Sequence, residues 1–137
     1  MARIRSIKPA FWASEALATR LRGPDGRQAR LLFIGLWGLA EDLTGVLRGH
    51  PSRIRSDLFA YDDDVSAADI ERWLGLLEAG RFIVRYERDG SRYVWVRGFL
   101  EHQKIDKPSK PTLPEPSDTE RAGRSEPSTS PPRALGA

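Results

Sequence analysis

Residues 66–97 read SAADIERWLGLLEAGRFIVRYERDGSRYVWVR, and within them the hydrophobic period changes from helical to alternating. Ile70, Trp73, Leu74 and Leu77 fall at i, i+3, i+4 and i+7, which gathers them on one face of a helix. Ser66 is placed to cap that helix, and Asp69, three residues on, to complete a capping box. Gly80 follows the last periodic residue, where a left-handed conformation would close the final turn. Beyond it Phe82, Val84 and Tyr86 alternate with Ile83, Arg85 and Glu87, Asp89-Gly90 marks a hairpin turn, and Tyr93 to Val96 forms the return strand. A two-residue turn pairs Glu87 with Arg92, Tyr86 with Tyr93 and Val84 with Trp95. The face carrying Phe82, Val84, Tyr86, Tyr93 and Trp95 is then expected to cover the preceding helix, with Trp73 and Trp95 buried in the contact.

Upstream, Pro51 suits the first position of a helix holding Ile54, Leu58 and Phe59, with Arg53 and Arg55 on its other sides. Val46-Leu47-Arg48 is long enough for one short strand, and Thr44-Gly45 separates it from a long helix ending near Asp42. Gly23, Pro24 and Gly26 read as a loop, and Asp25 with Gln28 as a second capping signature opening that helix. Its core face is Ala29, Leu32, Phe33, Leu36, Trp37 and Ala40; a further stripe of Leu31, Ile34, Gly35 and Gly38 is expected to lie under the N-terminal helix. Before it, Pro9 starts a short helical turn, and Phe11, Trp12 and Leu17 offer apolar surface to the core. Helix, short strand, helix, helix, strand, turn, strand is the order of a winged helix-turn-helix: mainly α with a small antiparallel β-sheet.

At 137 residues there is room for one domain, placed at residues 1–107 with a basic arm over 1–8. The last thirty residues hold seven prolines, five serines and no aromatic, so 108–137 is expected to be a disordered Pro/Ser-rich tail. With no cysteine there are no disulfides or thiolate metal sites, which fits a reducing compartment such as a bacterial cytoplasm. No apolar run reaches the length of a membrane span, and the basic start is expected to be a retained arm.

Charge is unevenly spread. Residues 1–55 carry ten basic and four acidic side chains, 56–80 one basic and seven acidic, and 81–107 seven basic and four acidic. Such polarity points to an electrostatic partner. His50 and His102 lie in separate segments without metal-ligand spacing, GPDGR lacks the Lys-Ser/Thr of a phosphate loop, and Asp62, Asp63 and Asp64 lack the alternation of a calcium loop. Neither an enzyme nor a metal or other cofactor is expected. The candidate DNA contacts are Arg3 and Arg5 on the arm, Arg53 and Arg55 on the second helix, and Arg88 and Arg92 at the hairpin tip. On the presumed recognition helix only Arg72 is available to read a base, among acidic neighbours that repel phosphate.

Four stretches, IRSIKPAFWASE, ARLLFIGLWGLAED, LFAYDDDVSAADIERWLGLLEAGRFIVRY and YVWVRGFLEHQKIDKPSKPTLPEP, resemble the N-terminal winged-helix domains of tailed-phage and prophage replication proteins, the DnaD-like replisome organisers and initiators. The resemblance spans residues 3 to about 116, and HQKIDKPSK is its most specific part. It implies binding to double-stranded DNA or self-assembly at an origin, together with other replication proteins. By position it brings over the wing, Arg85 to Arg97, and the basic run with His102, Gln103, Lys104 and Lys107. Two other roles fit the same residues: a phage transcriptional regulator, and a protein-interaction module whose acidic helix face docks a basic partner.

Overall fold

The computed structural model describes residues 3–123. After one 3-10 turn (Pro9–Phe11) come α1 (Glu15–Arg20), α2 (Gly23–Leu39), β1 (Val46–Arg48), α3 (Pro51–Leu58), α4 (Ala67–Ala79), β2 (Ile83–Arg88), β3 (Ser91–Val96), α5 (Phe99–His102) and α6 (Asp118–Arg121). The described chain is thus mixed α/β, with its strands in one small antiparallel sheet ordered β1-β3-β2.

The start of α4 follows the expected chemistry. The Asp69 N–H donates to Ser66 Oγ at 3.1 Å and the Ser66 N–H to the Asp69 carboxylate at 2.8 Å, closing the capping box. Its end differs. Gly80 keeps a right-handed backbone (φ −77°), and Arg81 takes the left-handed conformation (φ 67°). Gly80 is small for another reason: a Cβ there would meet the Phe82 ring at 2.8 Å. At the hairpin Asp89 and Gly90 both have positive φ, as a type I′ turn requires, and Tyr86 pairs with Tyr93 and Val84 with Trp95.

The register is as expected, but the faces are exchanged. Ile83, Val94 and Val96, with Leu47 of β1, join the main core against the helices. Val84, Tyr86 and Tyr93 form a separate cluster with Val46, and Trp95, half-buried, packs on its edge. Trp73 therefore meets Phe59 and not Trp95. On the return strand both stripes are apolar, Val94 and Val96 as well as Tyr93 and Trp95, so its period alone did not decide which faced inward; the left-handed step at Arg81 starts the strand at Ile83 and turns that residue to the core.

The long helix also departs from expectation. It begins at Gly23 and stops at Leu39, three residues before Asp42. Gly26 lies in its first turn, where a Cβ would overlap the Leu21 carbonyl carbon at 2.3 Å. Asp25 does not cap; its carboxylate accepts instead from Trp73 Nε1 at 3.0 Å. The six core-face residues are all buried. The second stripe is covered by α3 and the arm, not by the N-terminal helix: Gly35 adjoins Leu58, Gly38 adjoins the Arg3 carbonyl, and Leu31 stays exposed.

The largest departure is the segment after residue 107, expected to be disordered. Up to residue 123 it crosses the outer face of the sheet as a strap; residues 124–137 lie outside the described ones. Ser109 donates through its N–H and hydroxyl to Asp42, and the Thr112 and Leu113 N–H groups and the Thr112 hydroxyl donate to Glu41. The Tyr86 hydroxyl donates to the Pro114 carbonyl at 2.7 Å, and Leu113 packs on the outer cluster. Composition failed here because the anchors are two buried carboxylates more than sixty residues upstream, to which a proline-rich segment offers N–H and hydroxyl donors.

Candidate nucleic-acid interface

Three of the expected DNA contacts are spent on holding the fold. Arg5 reaches the end of α2, donating to the Trp37 and Ala40 carbonyls at 2.9 Å and to Asp42 at 2.7 Å, with its guanidinium 5.1 Å from the Phe99 ring centre. Only 8% of its side chain is exposed, so it is a helix C-terminal cap and not a phosphate contact. Arg55 donates to the Val65 and Asp62 carbonyls and thereby fixes the turn between α3 and α4. Arg72 bridges Asp25 at 3.2 Å and Asp69 at 3.0 Å and lies over Trp73, so the one expected base reader is already neutralised. Isolated arginines carry no sequence signal that separates these roles, because carbonyls and carboxylates far along the chain decide them.

The cleft between α4 and the hairpin is no better suited to a phosphate. Glu71, Glu78 and Glu87 line it beside Arg85 and Arg92. Arg85 lies 2.6 Å from Glu71 and 3.0 Å from Glu78; burial alone would lower its pKa, and the two carboxylates outweigh that and raise it. Arg92 stands 3.9 Å from Glu71 and remains half exposed. At the hairpin tip Arg88 pairs with Glu120 of the strap and lies 5.1 Å over Tyr86. A strap carboxylate thus occupies the guanidinium expected to face DNA.

Other cations meet on the flank where β1, α3 and the arm converge. Arg3, Arg48 and Arg53 line one cleft of about 200 Å³ together with Thr112. Arg48 is exposed and has no ion pair among the described residues; Arg53 is exposed, with Asp57 at 3.9 Å. Arg3 is partly engaged, donating to the Ala40 carbonyl at 3.0 Å with Asp42 at 3.6 Å. Two acids line the same cleft, exposed Asp57 and buried Glu41. At Glu41 the environment sets the charge. Burial pushes its carboxyl up, but the strap's donors and nearby Arg3 hold it lower than usual. Asp42 is held at about 2 by the Ser109 N–H first and the Arg5 guanidinium second. Lys104 and Lys107 are exposed on the stretch between Gln103, hydrogen-bonded to Ser6, and Ser109, bonded to Asp42. Arg48 was read only as part of a strand; its alternation with buried Leu47 was the signal that it faces outward beside Val46.

The turn between α3 and α4 exposes Asp62, Asp63 and Asp64 next to Tyr61, which is 98% exposed. No group of three or more metal-capable side chains forms among the described residues. No described helix is long and apolar enough to cross a membrane. No family model, curated protein or solved structure matches the chain.

Proposed function

We propose that this chain is a winged helix-turn-helix module that binds double-stranded DNA by its flank, without enzymatic activity or cofactor. Its place is in replication initiation or replisome organisation for a phage or prophage in the bacterial cytoplasm, alongside copies of itself or other replication proteins. The observation that carries the reading is the meeting of Arg3, Arg48 and Arg53 at one cleft, with Lys104 and Lys107 on the adjoining stretch. Guanidinium groups fork onto phosphate oxygens, and such contacts give affinity without sequence information. The order α2, β1, α3, α4, β2, β3 and the sheet order β1-β3-β2 support the winged-helix half of the reading. The likeness to DnaD-like proteins supports the replication half. In this arrangement α4 does not enter the major groove, since its arginine is neutralised and Glu71 and Glu78 line its hairpin side.

The test is a titration of random duplex DNA by the full chain at about 50 and about 200 mM salt. Replacing Arg48 and Arg53 together by Ala should weaken binding alike on all sequences and flatten the slope of log affinity against log salt by about 1.8. An unchanged slope sinks the reading. Exposed Tyr61 beside three aspartates favours a second one, in which that turn docks a basic protein. A partner lost on changing Tyr61 to Ser, with DNA binding intact or absent, would establish it.

A further inference from the structure

A cavity of about 370 Å³ opens between the N-terminal segment and the core, walled by Phe11, Leu17, Phe33, Trp37, Phe82 and Phe99. This size and lining fall in the range of small-molecule sites, which are mostly apolar with a few convergent polar groups. Its polar edge carries two cations, Lys8 and Arg97, with Ser6, Ser14, His102 and Gln103. Gln103 exchanges hydrogen bonds with the Ser6 backbone in both directions, and Ser14 Oγ accepts from the Leu17 N–H, so these groups are already matched. Arg97 is not. Its Nε is buried without an acceptor, and no carboxylate lies within ion-pair distance of it among the described residues. Its one aromatic contact is Trp95, 5.3 Å from the guanidinium. Burial first, and then repulsion from the neighbouring Arg81, lowers its pKa, the direction expected of a cation that no carboxylate offsets. A buried guanidinium N–H left without an acceptor costs free energy that an anionic ligand would recover.

We propose that this cavity binds a medium-chain alkanoate, its hydrocarbon body among the phenylalanines and Trp37 and its carboxylate on Arg97. The site lies apart from the arginine cleft on the flank and does not depend on the DNA reading. Charge sets the choice of ligand: the chamber takes any apolar chain of suitable size, but its mouth favours a negative head group. Lys8 adds to the positive field at the mouth without being required for the fork that Arg97 offers.

The experiment is isothermal calorimetry of the full chain with octanoate, octanol and octylammonium, below their aggregation thresholds. Octanoate should bind, octanol at least about tenfold more weakly, and octylammonium not at all. Arg97→Gln should weaken octanoate about tenfold or more and leave octanol unchanged, while Arg97→Lys retains part of the preference. Ala16→Leu, which fills the chamber from α1, should abolish binding of both. Thermal melts of each variant separate loss of the site from loss of the fold, and Arg97→Lys serves if Arg97→Gln does not fold. Absence of octanoate binding by the unaltered chain overturns the proposal. So does equal binding of octanoate and octanol, which would leave an apolar void without a head-group site.

Discussion

The two faces of the small sheet are closed by different means. The inner face presents Ile83, Val94 and Val96 to α2 and α4 and is sealed by apolar burial, with Leu74, Leu77 and Ile70 fully withdrawn from water. The outer face carries larger side chains, Tyr86, Tyr93 and Trp95, yet its cover contributes one apolar contact, Leu113. That cover is held by donors converging on Glu41 and Asp42. An apolar seal is distributed over many contacts, so it tolerates loss of any polar group. A seal pinned by two buried carboxylates fails with its pins, because few apolar contacts remain to hold the cover once those acceptors are lost.

The sharpest way to break the comparison is to remove one large side chain from each side. Trp73, on the helix under the inner face, is 3% exposed and donates to Asp25. Trp73→Ala should cost about 3 to 5 kcal/mol, enough to unfold a marginal domain. Trp95→Ala, on the half-buried outer face, should cost about 1 kcal/mol. Urea midpoints measure both. Equal losses would mean that the outer face belongs to the main core.

Second in size is removal of the strap by ending the chain after Lys107. Glu41 then loses three donors and Asp42 two, Asp42 keeping Arg5, so the cost is roughly 1 to 3 kcal/mol and falls mainly on Glu41. The melting temperature should fall by several degrees, at roughly 4 to 8 °C per kcal/mol for a domain of about this size. A truncated chain that melts with the full one would show that the strap rests on the sheet without stabilising it.

What was legible follows the same division. The capping box at Ser66, the core stripe of α4 and the hairpin register all depend on residues within four positions of each other or on one two-residue turn, and local spacing reports them. The strap, the neutralisation of Arg72 by Asp25 and the capping of α2 by Arg5 each join residues more than thirty positions apart, and nothing local marks them. Asp25 illustrates the loss: its spacing to Gln28 suits a capping box, but a buried indole N–H in need of an acceptor takes the carboxylate instead. The candidate site suffered most, since an arginine's partner decides whether it holds the fold or faces solvent.

Acid sharpens the comparison more gently. Asp42 titrates at about 2 in the folded chain, below its ordinary value near 4, and Glu41 is also held low. A lowered carboxylate stabilises fully above its unfolded value and loses that contribution as the pH falls through its folded one. Strap docking should therefore be complete near neutrality, weaken from about pH 4 downward and be lost near pH 2. Melting temperatures between about pH 6 and about pH 2 should fall more steeply for the unaltered chain than for Asp42→Asn, whose contribution is absent throughout. Parallel curves would remove Asp42 from the seal.

The smallest effect on stability has the largest bearing on function. Arg88 and Glu120 join the hairpin tip to α6, with 34% and 12% of their side chains exposed. The short helix is also held by its own capping box at Ser117 and by Arg121 lying over Trp95. Glu120→Gln keeps the shape and removes the charge, and a partly exposed pair contributes at most about 1 kcal/mol, so the urea midpoint should barely move. The change should nevertheless lift one negative charge from beside Arg88. If DNA lies along the flank and reaches the hairpin, affinity for random duplex should rise and the salt slope steepen by about 0.9, the increment of one further phosphate contact. Arg88→Ala in the same background should return the slope to its starting value. A gain that persists without Arg88 would assign the effect to overall charge; no gain would confine the DNA to the cleft of Arg3, Arg48 and Arg53. A loss of more than about 2 kcal/mol would instead make this pair a third pin of the outer seal.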